Sequence, residues 1–186
     1  DGIKVVILAD AKDLQPPQCE LLDAFVQNGG TLVASGDSGL RGDATSLKSL
    51  GLEKVLERKK TVSTVFTLKA DDAGVLKRSA LSPVIAPGSE IRVCAYEPAV
   101  KKYLRTEEEP LYGPPEVAYP TVESENPGLT VNTYGAGKAV YIPWFCGSFY
   151  HNEGYPNTLN VMQDVLFEIC QLPQIAPGLH PSVELV

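Results

Sequence analysis

The sequence predicts an α/β fold with an open, mostly parallel sheet, on three observations: an apolar run at residues 3–9, a helically spaced stripe after Pro16, and a second apolar run at 31–35. The first run, IKVVILA, is rich in β-branched residues, too short for a helix, and ends at Asp10, as suits a strand buried on both faces. Pro16 and Pro17 then open a segment in which Leu21, Leu22, Phe25 and Val26 recur at helical spacing. Asn28, Gly29 and Gly30, which tolerate left-handed backbone, close it. A strand, a crossover helix and a strand within 35 residues specify a βαβ unit.

Beyond that unit the signals weaken. Residues 46–57 carry Leu47, Leu50, Leu52, Val55 and Leu56 as an amphipathic helical segment interrupted by Gly51, while 61–68 alternate as a strand. From 70 to 127 repeated prolines break the pattern, and only 90–96 reads clearly as a strand, so this middle is expected to be an irregular β-rich insertion within one domain spanning 1–186. Glu107, Glu108 and Glu109 read as a solvated turn. Thr130 to Thr133 alternate, Gly135 and Gly137 supply a tight reversal, and 139–144 run back as the second strand of a hairpin that Pro143 stops. Asn157 or Thr158 then caps a last helix with the stripe Leu159, Met162, Val165, Leu166 and Ile169, and Pro173, Pro177 and Pro181 hold the tail extended.

Composition excludes several function classes. The chain has 186 residues, 44% of them hydrophobic and 21% charged, which is ordinary for one globular domain. A net charge of −7 disfavours a phosphate backbone as partner, and the small clusters Arg58-Lys59-Lys60 and Lys101-Lys102 read as solvated faces. No apolar run approaches the roughly 20 residues that a membrane helix needs. Cys19, Cys94, Cys146 and Cys170 are widely spaced with no C-x-x-C pair, so buried free thiols are expected, with neither a metal site nor a disulfide framework. No cofactor is expected. The compartment stays open between cytoplasm and export. The start at Asp1, without Met or a leader, reads as a piece of a longer polypeptide.

The candidate chemistry lies at strand ends and in one aromatic segment. Gly36-Asp37-Ser38-Gly39 follows the second strand; Ser38 could serve as a nucleophile or simply bind the turn backbone. His151 and His180 both follow Ser38, which rules out the trypsin-like order, and Pro177 stands where the esterase pattern needs Asp. Asp10 and Asp37 sit at the carboxyl ends of neighbouring strands, where open α/β sheets gather ligands, either as an acid–base pair or as turn and capping residues. Trp144, Tyr150, His151 and Tyr155 belong to an expected loop over 144–155, either a buried aromatic anchor or a platform for a sugar or a partner.

The ordered blocks VVILAD at 5–10, NGGTLVASGDSGL at 28–40, YGAGKAVYIPW at 134–144 and FYHNEGYP at 149–156 resemble the β-galactosidase trimerisation domain, a module of bacterial glycoside hydrolases. The resemblance covers most of the chain and is poor over 70–127. It implies a flavodoxin-like, class I glutamine amidotransferase-like three-layer fold that has lost glutaminase chemistry, consistent with Asp37-Ser38 where those enzymes carry cysteine. It further implies a catalytic (β/α)8 barrel in the same parent chain, homo-oligomer contacts and a role beside a carbohydrate site. It also implies that the family's opening strand and helix are absent here, leaving the first strand at an exposed edge. The carboxylate pair of a glycosidase has no counterpart among these residues.

Overall fold

The computed structural model describes residues 2–60, 63–70, 72–81, 84–87, 89–107 and 123–174. The expectations for the acidic turn at 107–109 beyond Glu107, for the prolines between 108 and 122, and for the tail with His180 lie outside them.

Strand β1 (Val5–Ala9), helix α1 (Pro16–Gln27) and strand β2 (Thr31–Ser35) form the expected βαβ unit. The two strands pair in parallel from Val5 opposite Thr31 to Ala9 opposite Ser35. Pro16 begins α1, where a missing N–H costs nothing, and the Gln15 N–H donates to Gln18 Oε1 at 2.8 Å to close the first turn. Short strands β3 (Leu40–Arg41) and β4 (Ala44–Thr45) follow, then β5 (Leu52–Lys60), β6 (Ser63–Thr67), β7 (Val84–Pro87), β8 (Glu90–Tyr96), β9 (Lys101–Glu107), β10 (Glu123–Tyr134) and β11 (Gly137–Ile142). Helices α2 (Cys146–Glu153) and α3 (Pro156–Asp164) end the described fold, α3 running into a π-type turn over Val165–Ile169.

The main sheet has the order β1-β2-β11-β10-β9-β6-β7, and β3-β4-β5-β8 form a second, smaller sheet. The α/β class stands, with a mixed sheet. Only β1, β2 and β11 run parallel; every pairing from β11 to β7 is antiparallel, which corrects the expectation of a mostly parallel sheet. The reason lies in the connections. Parallel neighbours need a crossover, and among the described residues α1 is the only α-helix between two paired strands; the β10–β11 hairpin and its neighbours extend the sheet by reversal.

Period-2 alternation on β2 and β11 divides the interior into two cores. Leu32, Ala34, Ala139 and Tyr141 face Cys19 and Val26 of α1 together with Leu47, Leu50, Leu52 and Val55. Val33, Val140 and Ile142 face Val161 of α3 with Val165 and Ile169 beyond it, and this second core continues to Phe66, Leu104, Leu129 and Trp144. The tight seat of β11 depends on Gly137, where a Cβ would stand 2.2 Å from the carbonyl oxygens of both Gly30 and Val26.

The helix expected over 46–57 is absent. Lys48–Leu50 make one 3₁₀ turn, Gly51 reverses out of it at φ 62°, and the rest is strand β5. Register shifts between Leu52 and Lys54 and between Val55 and Glu57 bulge that strand, so its buried residues Leu52 and Val55 fall three apart and mimic helical spacing. The turn at 48–50 is capped from a distance: the buried Asp23 of α1 accepts the N–H groups of Lys48 at 3.1 Å and Ser49 at 2.8 Å. Asp23→Ala is expected to lower stability by about 1–2 kcal/mol, measured by urea unfolding, because both donors lose their acceptor. An unchanged midpoint would show that the cap contributes nothing.

The segment 144–155, expected as a loop, is mostly helix α2. Its N-cap, Phe145, offers no side-chain cap, so packing holds it: Phe149 meets Trp144 edge-on at 6.3 Å, and Gly154 at φ 66° ends the helix with its N–H on the Tyr150 carbonyl. Leu21 of the expected α1 stripe is 72% exposed and lies outside the core. Cys19, Cys94 and Cys146 are free and buried, and Cys170 is free and partly buried; burial pushes the thiols of Cys94 and Cys146 up to about 11 and about 12.

Candidate functional site

The carboxyl ends of β1 and β2 meet the start of β8 and the segment after β11 at one corner. Gly36 makes the corner possible. It takes φ 60°, and a Cβ there would lie 2.5 Å from the Phe145 ring and 2.9 Å from Asp10 Oδ1. Its N–H donates to the Ile142 carbonyl at 3.0 Å, and its own carbonyl accepts the Tyr141 hydroxyl at 2.8 Å. Burial raises the Tyr141 phenol well above its ordinary range, so it stays a neutral donor.

Ser38 is fully buried and fully used. Its hydroxyl lies 2.7 Å from the Ser35 carbonyl and 2.9 Å from that of Leu8, and it accepts the Ala11 N–H at 2.9 Å. It therefore ties the turn after β1 to the turn after β2, which is a structural task, and among the described residues no imidazole takes part. His151 is exposed on α2. A nucleophilic Ser38 paired with His151 is thus corrected by burial and by hydrogen bonding.

Asp10 and Asp37 do come together, though not as an acid–base pair. Asp10, at φ 55°, accepts the Asp37 N–H through Oδ1 at 3.0 Å, and Lys12 Nζ stands 3.5 Å from a carboxylate oxygen of each. The organising group is Arg92, which the sequence reading did not single out. It is wholly buried; its Nε donates to Asp37 Oδ1 at 2.8 Å, its Nη1 to the Glu90 carbonyl at 3.0 Å, and Nη2 lies 3.1 Å from Glu90 Oε1 as an ion pair without hydrogen-bond alignment. The guanidinium sits 3.9 Å from the Phe145 ring centroid, with Lys12 Nζ at 5.7 Å from the same ring. Arg58 adds a third cation 3.7 Å from Asp37. Burial acts to raise the Asp37 pKa, but the Arg92 hydrogen bond and charge, with Arg58 and Lys12, outweigh it and hold the carboxyl below its usual range. Asp10, Asp37 and Glu90 thus face Lys12, Arg58 and Arg92, and Arg58 is shared with Asp43, so the carboxylates of the corner are each paired with a cation.

Beside this corner runs an open groove of about 450 Å³ lined by Asp10, Glu90, Phe145, Phe149, Asn152 and Glu153 among others. Trp144, one of the expected contact residues, does not reach it: the side chain is buried, stacks on Phe66 at 5.1 Å, and donates Nε1–H to the Gly128 carbonyl at 3.0 Å. The anchor reading of Trp144 replaces the platform reading. Tyr155 stacks on Phe149 at 5.5 Å and remains 37% exposed, and Tyr150 is half-buried. Among the described residues no group of His, Cys, Asp and Glu is placed to hold a metal ion. No helix of the described fold is long and apolar enough to cross a membrane.

No family model matches this chain, and no curated protein matches it in sequence. Solved structures do. The β-galactosidase from Rahnella sp. R3 matches with a TM-score of 0.63 at 21% identity, over 92% of this chain and 23% of its own. The α-L-fucosidase isoenzyme 2 from Paenibacillus thiaminolyticus matches with a TM-score of 0.64 at 21% identity, over 90% of this chain and 24% of its own. A cytoplasmic protein from Salmonella typhimurium matches with a TM-score of 0.60 at 12% identity, over 88% of this chain and 70% of its own. The likeness is one of fold. This chain spans about a quarter of the length of the two glycosidases it matches.

Proposed function

We propose that this chain is a non-catalytic α/β module of a larger glycoside hydrolase of the β-galactosidase kind, related to the trimerisation domain and to the amidotransferase-like, flavodoxin-like folds. Its work is contact, with a catalytic barrel of the same parent chain and with further copies of that parent. The observation that carries this reading is the asymmetry of coverage: nearly all of this chain fits inside about a quarter of glycosidase chains. The corner chemistry supports it, since Ser38 is consumed by backbone bonds and Asp37 is held ionised by three cations. The groove past Asp10, with Phe145 and Phe149 as apolar faces and carboxylates as hydroxyl acceptors, favours a secondary role in bordering a carbohydrate site, with Tyr155 stacked on Phe149 and Tyr150 and His151 on the same helix as further contact candidates.

The isolated chain is expected to hydrolyse neither aryl β-galactosides nor aryl α-fucosides above the rate of buffer. Ser38→Ala should change no activity yet cost about 1–3 kcal/mol in stability, because the Ala11 N–H is left without its acceptor. Turnover that disappears in Ser38→Ala would overturn the non-catalytic reading.

A further inference from the structure

A second groove, of about 340 Å³, runs along helix α1, within the roughly 300–1,000 Å³ of clefts that take small ligands. No residue lines both this groove and the one beside the corner. One wall is a stripe of the helix, from Pro16 through Glu20, Asp23 and Ala24 to Gln27, and Lys48 and Tyr134 line the groove from outside the helix. At about 1.5 Å of rise per residue, that stripe is about 16 Å long. Asp23 joins the two sides, since its carboxylate accepts the N–H groups of Lys48 and Ser49. Glu20, Ala24, Gln27 and Lys48 are exposed, and Tyr134 is half-buried. Unlike the corner, this groove keeps its polar groups unspent: among the described residues the side chains of Glu20, Gln27 and Lys48 make no hydrogen bond or ion pair.

We infer that this groove binds an extended, uncharged, hydroxyl-rich chain, a short oligosaccharide. Sugar hydroxyls donate and accept at once, and the groove offers both kinds of partner: carboxylate oxygens on Glu20 and Asp23, and ammonium and amide donors on Lys48 and Gln27. Tyr134 supplies a ring on which the apolar face of a pyranose stacks, and the short side chain of Ala24 keeps the middle of the groove open. Two carboxylates against one ammonium disfavour a phosphorylated or polyanionic ligand. An extended peptide takes much of its affinity from main-chain bonds to a sheet edge, and this wall is a helix whose backbone groups are bonded internally. The length of the stripe favours several linked rings over a single sugar. The inference rests on the glycoside hydrolase reading for the choice of sugar, and the site serves there to hold a substrate chain on the module, apart from the chemistry; the shape of the groove and its donors and acceptors stand without that reading.

The test is an amide NMR titration of the 186-residue chain with β-linked galactotriose, with three variants. The trimer is expected to shift amides of α1 and of the segments around Lys48 and Tyr134, and galactose, which spans only part of the groove, to bind at least about tenfold more weakly. Affinity should stay the same between about 0.05 and 0.5 M salt, because a neutral chain has no charge to screen. Ala24→Arg, which fills the groove from an exposed helix position, should weaken binding by at least about tenfold and leave circular dichroism unchanged. Tyr134→Leu, which keeps apolar bulk and removes the ring face, should weaken it by about two- to tenfold. Asn152→Arg, which obstructs the corner groove instead, should leave it unchanged. A titration with no shifts overturns the inference and leaves the contact-module reading standing, since that reading fails on a different result, turnover that is lost in Ser38→Ala. Binding kept in Ala24→Arg and lost in Asn152→Arg places the sugar at the corner and overturns this groove. Affinity that falls steeply with salt overturns the uncharged ligand.

Discussion

Trp144→Ala is expected to destabilise the chain by about 3–5 kcal/mol, the range for emptying a large aromatic site from a closed core. The side chain has no exposure, stacks on Phe66 at 5.1 Å and supports Phe149 of α2 at 6.3 Å, so its loss opens a cavity beneath the helix. It also leaves the Gly128 carbonyl without its donor. For a chain of this length the cost corresponds to a fall in melting temperature of roughly 6–20 °C. Trp144→Phe separates the two contributions, since the ring is largely kept and only the hydrogen bond is lost; about 1–3 kcal/mol is expected. Circular dichroism melts decide the matter, because this is the sole tryptophan of the chain and fluorescence vanishes with it. A melt of Trp144→Ala within two degrees of the parent would place the residue outside the core after all.

That residue also marks the limit of what the sequence discloses. The βαβ start and the β10–β11 hairpin were legible because apolar period, breaker residues and length agreed there. The aromatic segment was legible in composition only: one-dimensional spacing cannot say whether a ring points at Phe66 or at solvent. Leu52 and Val55 were misread for a definite cause, a pair of bulges that gives a strand helical spacing. At the candidate site the meeting of Asp10 and Asp37 followed from strand ends alone, but the groups that neutralise them did not. Lys12 and Arg58 come from ordinary charged stretches. Arg92 carried one usable signal, a guanidinium between Ile91 and the run Val93-Cys94-Ala95 of the strand, where burial of a charge demands a partner.

Removing that guanidinium while keeping its volume, as in Arg92→Met, is expected to cost about 3 kcal/mol, at the low end for breaking a buried pair, because Asp37 keeps Lys12 and Arg58 nearby and its side chain is 20% exposed. The loss should depend on pH in a defined sense. Burial raises the Asp37 pKa and its cations, Arg92 first, lower it by more, so the folded value lies below the ordinary 3.8. A depressed carboxyl contributes stability that is in place above its unfolded value and is lost as pH falls through the folded one. In Arg92→Met the burial contribution is opposed by less charge, the folded pKa moves up, and acid unfolding should begin at higher pH than in the parent chain. Asp37→Asn in the same background removes the carboxylate that Arg92→Met leaves exposed to its own desolvation, so the double variant should be more stable than the two single costs predict. Urea midpoints for the four proteins between about pH 3 and 7 test both statements. Strictly additive costs with parallel pH profiles would mean that Arg92 supports the corner through its contact with Phe145 alone, and that its pairing with Asp37 is incidental.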